Sequence, residues 1–165
     1  MILGIDPGLH GALALYNEDT EALSVFDVPT LNIGKGKAKK LVIDEYALAR
    51  AIDDIAATVS EVWLEKVWTM PGEGPVGAFS FGRTYGLIRG ICCANFLTIQ
   101  DVTPQTWKGA LKVTGNKNNS RLRASALFPR SAHLWPLKKH ADRSEAALIA
   151  YYGARQRASA IGQAA

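Results

Sequence analysis

Three short apolar runs open the chain, over residues 2–6, 11–16 and 22–28, separated by Pro7-Gly8 and by Asn17-Glu18-Asp19. Strand-length runs bounded by turn-forming residues predict an antiparallel meander. The next segment holds Pro29, Gly34 and Gly36 with Lys35, Lys37, Lys39 and Lys40, and reads as a loop. Asp44 then stands as the N-cap of a helix of about a dozen residues, with Leu48, Ile52 and Ile55 at helical spacing. A fourth strand is predicted over 61–67, with Val62, Leu64 and Val67 apolar, and a fifth over 97–102. Between them a Pro/Gly loop at 70–75 leads into a long helix over 76–94. Three helical pieces complete the pattern: one after Thr103-Pro104, one over 120–128 and one over 141–155. Pro129 and Pro136 bound an irregular stretch between the last two. Strands joined by both hairpins and crossover helices predict an α/β fold, a mixed five-stranded sheet with helices on both faces. At 165 residues the chain reads as one domain, 1–165.

Composition narrows the class without changing this picture. An apolar share of 48% with 21% charged residues is that of a soluble globular protein and excludes disorder, collagen and coiled coil. No apolar run approaches the roughly 18 residues of a membrane span. The opening MILGIDPG lacks the basic region of a signal peptide. Cys92 and Cys93 are sequence neighbours, a poor geometry for a relaxed disulfide and too few ligands for zinc. A reducing, cytoplasmic setting is the expectation. Adjacent thiols on an apolar helix read as core rather than as nucleophiles. Neither Gly109–Gly115 nor GEGPVG at 72–77 has the spacing and lysine of a phosphate loop, no G-x-S-x-G elbow occurs, and His10, His133 and His140 are scattered.

Charge is distributed unevenly. Residues 1–82 carry 6 Lys/Arg against 12 Asp/Glu, and residues 83–165 carry 13 against 3, within a net charge of +4. The basic second half points to a polyanionic partner; a solvated basic face accounts for the same numbers. Against that background four acids occupy unusual positions. Asp6 ends the first strand after apolar Ile2, Leu3 and Ile5. Glu65 sits inside the fourth strand, on the face of Trp63 and Val67. Asp142 and Glu145 are three apart on one helix face, although Asp142 also suits a helix N-cap. A carboxylate facing a core is costly unless something binds it. Hard cations such as Mg²⁺ take oxygen ligands, and two of them about 4 Å apart can drive phosphodiester hydrolysis.

The segments I-L-G-I-D-P-G-L-H-G-A-L-A-L, W-L-E-K-V-W, D-V-T-P-Q-T-W-K and H-A-D-R-S-E-A-A-L-I-A-Y, in this order and spacing, resemble the RuvC family of Holliday-junction resolvases. The resemblance spans about residues 2–152. It implies a ribonuclease-H-like fold and places Asp6 and Glu65 at the family's first two catalytic acids. Asp142 and Glu145 match its closing acidic pair, with Glu where the family has Asp, so that this carboxylate reaches one methylene further. Lys108 matches a lysine near the scissile phosphate. Lys117 falls where the family has a second basic residue, and a register shift would put Asn119 there instead. Trp68, three after the second acid, matches an aromatic that stacks on unpaired bases; a strand-end core tryptophan is the other reading.

The resemblance further implies a Mg²⁺-dependent endodeoxyribonuclease that resolves four-way DNA junctions by paired nicks, with two Mg²⁺ ions per active site held by Asp6, Glu65, Asp142 and Glu145, and with Mn²⁺ able to substitute. Arg83, Arg89, Arg121 and Arg123 are the expected backbone-phosphate contacts, with Lys35 and Lys37 on an additional arm. Other branched DNA, structured RNA and non-catalytic junction binding stay as alternatives, and a branch-migration partner is left open. A homodimer is expected from Gly82, Gly86 and Gly90, which share one face of the 76–94 helix. Each helical glycine costs about 0.8–1.0 kcal/mol relative to alanine. Close approach of a second backbone would offset that, and so would packing on the protein's own sheet.

Overall fold

The computed structural model describes residues 1–36, 39–66, 72, 74–115 and 117–164. Five strands form the main sheet: β1 (Ile2–Asp6), β2 (Ala12–Tyr16), β3 (Leu23–Asp27), β6 (Glu61–Glu65) and β7 (Ile99–Val102), in the order β3-β2-β1-β6-β7. β1, β2 and β3 pair antiparallel, whereas β6 lies parallel to β1 and β7 parallel to β6. Every residue of β1 is buried, because this central strand is covered on both faces.

Alternation along β1 sorts the core into two halves. Leu3 and Ile5 join Leu13, Val62 and Leu64 on one face, under Leu48 and Ile52 of α1 (Glu45–Ala56) and Ile88 and Cys92 of α2 (Pro75–Ala94). Asp44 caps α1, its side chain accepting from the Ala47 amide at 2.9 Å. Ile2, Ala12, Ala14 and Tyr16 face the other way, onto α5 (Ala141–Ala164). That helix presents Ala146, Ala147 and Ala150 to the sheet, so it sits close. A Cβ on Gly4 would fall 2.3 Å from the Ala146 carbonyl oxygen, and one on Gly153 would fall 2.2 Å from the Trp63 ring.

The mixed five-stranded sheet with helices on both faces is as the sequence predicts. Three elements differ locally from the sequence prediction. The lysine-rich segment forms a separate hairpin, β4 (Thr30–Ile33) with β5 (Lys40–Ile43), rather than a bare loop. Its strands are too short to show alternation, and their pairing from Thr30↔Ile43 to Ile33↔Lys40 is what defines them. The helix predicted over 120–128 is α4 (Lys117–Leu127). The last helix runs on past Arg155 to Ala164, through Ala, Arg and Gln, which favour helix without marking a buried face. The remaining elements are α3 (Pro104–Ala110), capped by Thr103, and two 3₁₀ turns, Pro129–Leu134 and Lys138–His140, within the stretch read as irregular. Among the described residues no helix is long and apolar enough to cross a membrane.

Candidate active site

Asp6 is the last residue of β1 and, by alternation with Ile2 and Gly4, points to the α5 side. The chain then turns tightly into β2, with the Gly11 amide donating to the Gly8 carbonyl at 3.1 Å. Any Cβ at Gly11 would lie 2.1 Å from the Asp6 carbonyl oxygen, so only glycine fits. Helix α5 rests on Gly4 through Ala146 and Ala150. Two residues along a strand and one turn along a helix are both about 6 Å. Asp142, one turn before Ala146, and Glu145, about a turn and a half before Ala150, are therefore delivered beside Asp6.

Carboxylate oxygens of Asp6, Asp142 and Glu145 all lie within 4.8 Å of one another. Asp6 and Glu145 are buried, and Asp142 is half-buried in the first turn of α5, where the helix dipole favours negative charge. Three carboxylates this close repel strongly at low dielectric, and a cation between them removes the cost. Ligand oxygens on opposite sides of a Mg²⁺-sized ion stand about 4.2 Å apart. The cluster is an all-oxygen, hard donor set of the right span, so it fits a divalent ion. One cation is built in: Lys108 Nζ lies 2.9 Å from Glu145 Oε1 and 5.0 Å from the Trp107 ring centre. Ser120 Oγ donates to the same Glu145 oxygen at 2.7 Å.

Glu65 ends β6, the parallel neighbour of β1. The register runs from Ile2↔Glu61 to Ile5↔Leu64, and one further step sets Asp6 opposite Glu65. The Glu65 carboxylate is buried and accepts from Trp107 Nε1 at 2.8 Å. It lies beside the cluster, outside the three acids whose oxygens fall within 4.8 Å. Trp107, fully buried in α3, thus orients Glu65 while its neighbour Lys108 pairs with Glu145. Trp107→Phe keeps most of the core volume and removes the N–H. A hydrogen bond to a charged group is worth about 1.5–3 kcal/mol, so a loss of that size is expected in chemical denaturation, and unchanged stability would show that this bond does not hold Glu65.

The other residues singled out in the sequence are dispersed. Arg83 pairs with Glu45. Arg89 pairs with Asp101 at 2.6 Å and lies over the Tyr85 ring. Arg121 donates to the Trp135 and Pro136 carbonyls at 3.1 and 2.9 Å and to Asn118 at 2.8 Å. Arg123 donates to the Leu111 carbonyl at 2.7 Å. Lys35 is exposed beyond β4. The Asn119 amide, in the first turn of α4, donates to the Thr114 carbonyl in the loop before it. Lys37, Trp68 and the Lys117 side chain lie outside the described residues. Trp107 and Ser120 are the members of the site that sequence reasoning passed over. Trp107 adjoins the lysine in Q-T-W-K, but nothing in spacing pairs its ring with Glu65. Burial pushes the Cys92 thiol up to about 11, which keeps it a core group; Cys93 is exposed.

An antiparallel three-stranded meander extended by two parallel strands, with acids at the adjacent ends of β1 and β6 and on the helix crossing them, defines the ribonuclease-H-like class of α/β fold. The solved structures it resembles belong to that class. RuvC of Thermus thermophilus aligns over 94% of this chain and 95% of its own, at 19% identity and a TM-score of 0.50. The T. thermophilus RuvC solved in complex with a Holliday junction substrate aligns over 94% of each chain at 16% identity and a TM-score of 0.53. The yeast mitochondrial Holliday junction resolvase Ydc2 aligns over 95% of this chain and 78% of its own, at 16% identity and a TM-score of 0.59. No protein-family profile and no curated protein sequence matches the chain.

Proposed function

We propose that this chain is a structure-selective endonuclease that resolves four-way DNA junctions. The observation that carries the reading is the convergence of Asp6, Asp142 and Glu145 at the sheet end, in a fold shared with a resolvase solved on a Holliday junction. These three acids, with Glu65 alongside, would hold Mg²⁺, two ions per site, with Mn²⁺ as a substitute. A divalent ion there supplies charge neutralisation at a phosphoryl oxygen and a more acidic water. The chain's own residues do the rest. Asp6 and Glu65 are fixed by neighbouring strands, so their separation does not vary with helix motion. Lys108, 30% exposed at the cluster's edge, places an ammonium where negative charge grows on the phosphate. Trp107 and Ser120 hold Glu65 and Glu145 in position.

Arg83, Arg89, Lys35 and Lys37 supply sequence-independent phosphate contacts on the arms. Arg121 and Arg123, held by carbonyls, add further positive charge on α4, and Lys117 is the proposed second basic contact. Trp68 is the ring proposed to stack on an unpaired base, a contact worth about 1–3 kcal/mol. The test is incubation with a synthetic four-way junction, a linear duplex and an RNA hairpin, with and without Mg²⁺. Symmetric Mg²⁺-dependent nicks in the junction alone are expected. Cleavage of the hairpin instead, or binding without cleavage under any metal, overturns the reading.

A homodimer belongs to the same proposal, since paired nicks in a two-fold symmetric junction require two sites across an axis. Ideal Cβ positions at Gly82, Gly86 and Gly90 meet nothing within 4 Å. The glycine strip therefore faces away from the sheet, which α2 contacts through Ile88 and Cys92, and Phe79 beside it is 75% exposed. Gly86→Leu is expected to give a folded monomer that nicks singly or not at all. Sedimentation checks it: wild-type protein running as a monomer at about 50 μM, some fifty times a micromolar Kd (about −8.2 kcal/mol), removes the dimer.

A further inference from the structure

A groove of about 650 Å³ leads away from the carboxylate cluster, beginning at Asp142. Its walls are Leu9 and His10 from the β1–β2 turn, Thr30 at the base of the β4–β5 hairpin, and the Lys138–His140 turn. Besides Asp142 the groove is lined by Asp27, which is already neutralised: Arg143 Nε and Nη2 donate to its two oxygens at 2.6 Å each, and this bidentate pair holds the Asp27 carboxyl below the usual range. Lys138 and Lys139 are exposed, and neither has an ion-pair partner among the described residues.

The turn that presents these lysines is fixed. Arg121 of α4 donates to the carbonyls of Trp135 and Pro136, and Arg143 of α5 donates to that of Leu134 at 3.1 Å. Two arginines thus clamp the backbone just ahead of Lys138, and the His140 amide closes the turn onto the Leu137 carbonyl at 3.0 Å. On the far side of His10 a second cavity, about 380 Å³, also reaches Asp142 but is walled by Pro7, Gly77, Ser80, Phe81 and Thr84, with no lysine or arginine among the described residues. The carboxylate cluster therefore has one cationic flank and one largely apolar flank.

We infer that Lys138 and Lys139, with the His10 imidazole across the groove as a hydrogen-bond donor, bind backbone phosphates of the strand being cut, on one flank of the carboxylate cluster. The inference rests on the proposed nuclease function and deepens it by giving the scissile strand a direction across the site. Ammonium groups act as point charges and match a phosphate of any sequence. They are positioning residues for the strand, remote from the reacting atoms.

The test measures binding of the K138Q/K139Q and K138R/K139R variants and wild type to a labelled four-way junction, a linear duplex and a single strand, in EDTA, between about 50 and 200 mM salt. Each phosphate neutralised contributes about 0.9 to the slope of log K against log salt. The glutamine pair is expected to lower that slope by about 1.8, so that its affinity falls roughly tenfold less than that of wild type across this range. The arginine pair is expected to restore the slope. An unchanged slope on the DNA that wild type binds best overturns the inference. Neutral methylphosphonates at the phosphates next to the cut should weaken wild type and leave the glutamine variant indifferent; equal sensitivity places the lysines elsewhere and overturns it as well. If wild type cuts no junction with Mg²⁺ while the slope still falls on duplex or single strand, the track stands and the junction-resolving function falls. Wild type that binds none of the three DNAs overturns both.

Discussion

Asp6→Asn is expected to cut a four-way junction at least a hundredfold more slowly than wild type, while binding it within about threefold as tightly. A hundredfold is about 2.7 kcal/mol of barrier. The substitution keeps shape and volume at a buried strand end, so folding is little disturbed. It replaces an anionic oxygen by an amide, whose NH₂ would face a cation held among the Asp6, Asp142 and Glu145 oxygens, which lie within 4.8 Å of one another. Binding survives because carboxylates repel phosphates rather than attract them, and removing one charge can tighten the complex. Glu65→Gln should behave similarly in cleavage and still accept from Trp107 Nε1, now 2.8 Å from Oε1. The measurements are single-turnover cleavage with Mg²⁺ and equilibrium binding in EDTA. A rate above about a tenth of wild type, a barrier change under about 1.4 kcal/mol, would show that these acids do not form the reacting site.

Much of this site is legible in the sequence. Asp6 at a strand end, Glu65 on the face of Trp63, and the Asp142/Glu145 pair at i and i+3 follow from periodicity alone, because period fixes which face a side chain takes. Period is silent about which neighbour waits on that face. Ser120 and Lys108 both meet Glu145, from 25 and 37 positions away, through the packing of α3 and α4 on α5. The partners of the arginines are hidden for the same reason: Arg121 reads as a surface cation in sequence, whereas it clamps carbonyls 14 and 15 residues on. Lys138 and Lys139 stand in a stretch without regular pattern, and only the fold sets them against His10 and Thr30. The glycines divide instructively. Gly82, Gly86 and Gly90 draw notice by their spacing, and they face open space. Gly4, hidden inside an apolar strand, has no room for a Cβ, which would stand 2.3 Å from backbone atoms of α5.

Gly4→Ala is expected to destabilise the protein by about 3 kcal/mol and to lower cleavage together with stability. The added Cβ would stand 2.3 Å from the Ala146 carbonyl oxygen, 2.3 Å from the Ala150 amide nitrogen and 2.8 Å from its Cα. All three are backbone atoms of α5, so no rotamer change relieves the clash, and the helix as a whole must retreat from β1 by about an ångström to reach ordinary contact. Ala146, Ala147 and Ala150, all fully buried on the sheet-facing side, would lose close packing. Overpacking a core costs about 1–3 kcal/mol and more where nothing yields. Replacing glycine in the unfolded chain returns only about 0.4–1 kcal/mol. For a domain of this size such a loss lowers the melting temperature by roughly 6–12 °C. Activity should fall further than the folded fraction explains, because the same retreat carries Asp142 and Glu145 away from Asp6. Chemical denaturation and cleavage by the remaining folded protein at low temperature separate the two effects. Stability within about 1 kcal/mol of wild type, with normal cleavage, would mean that α5 is not seated on β1 at this point and that the carboxylate cluster is not assembled by that contact.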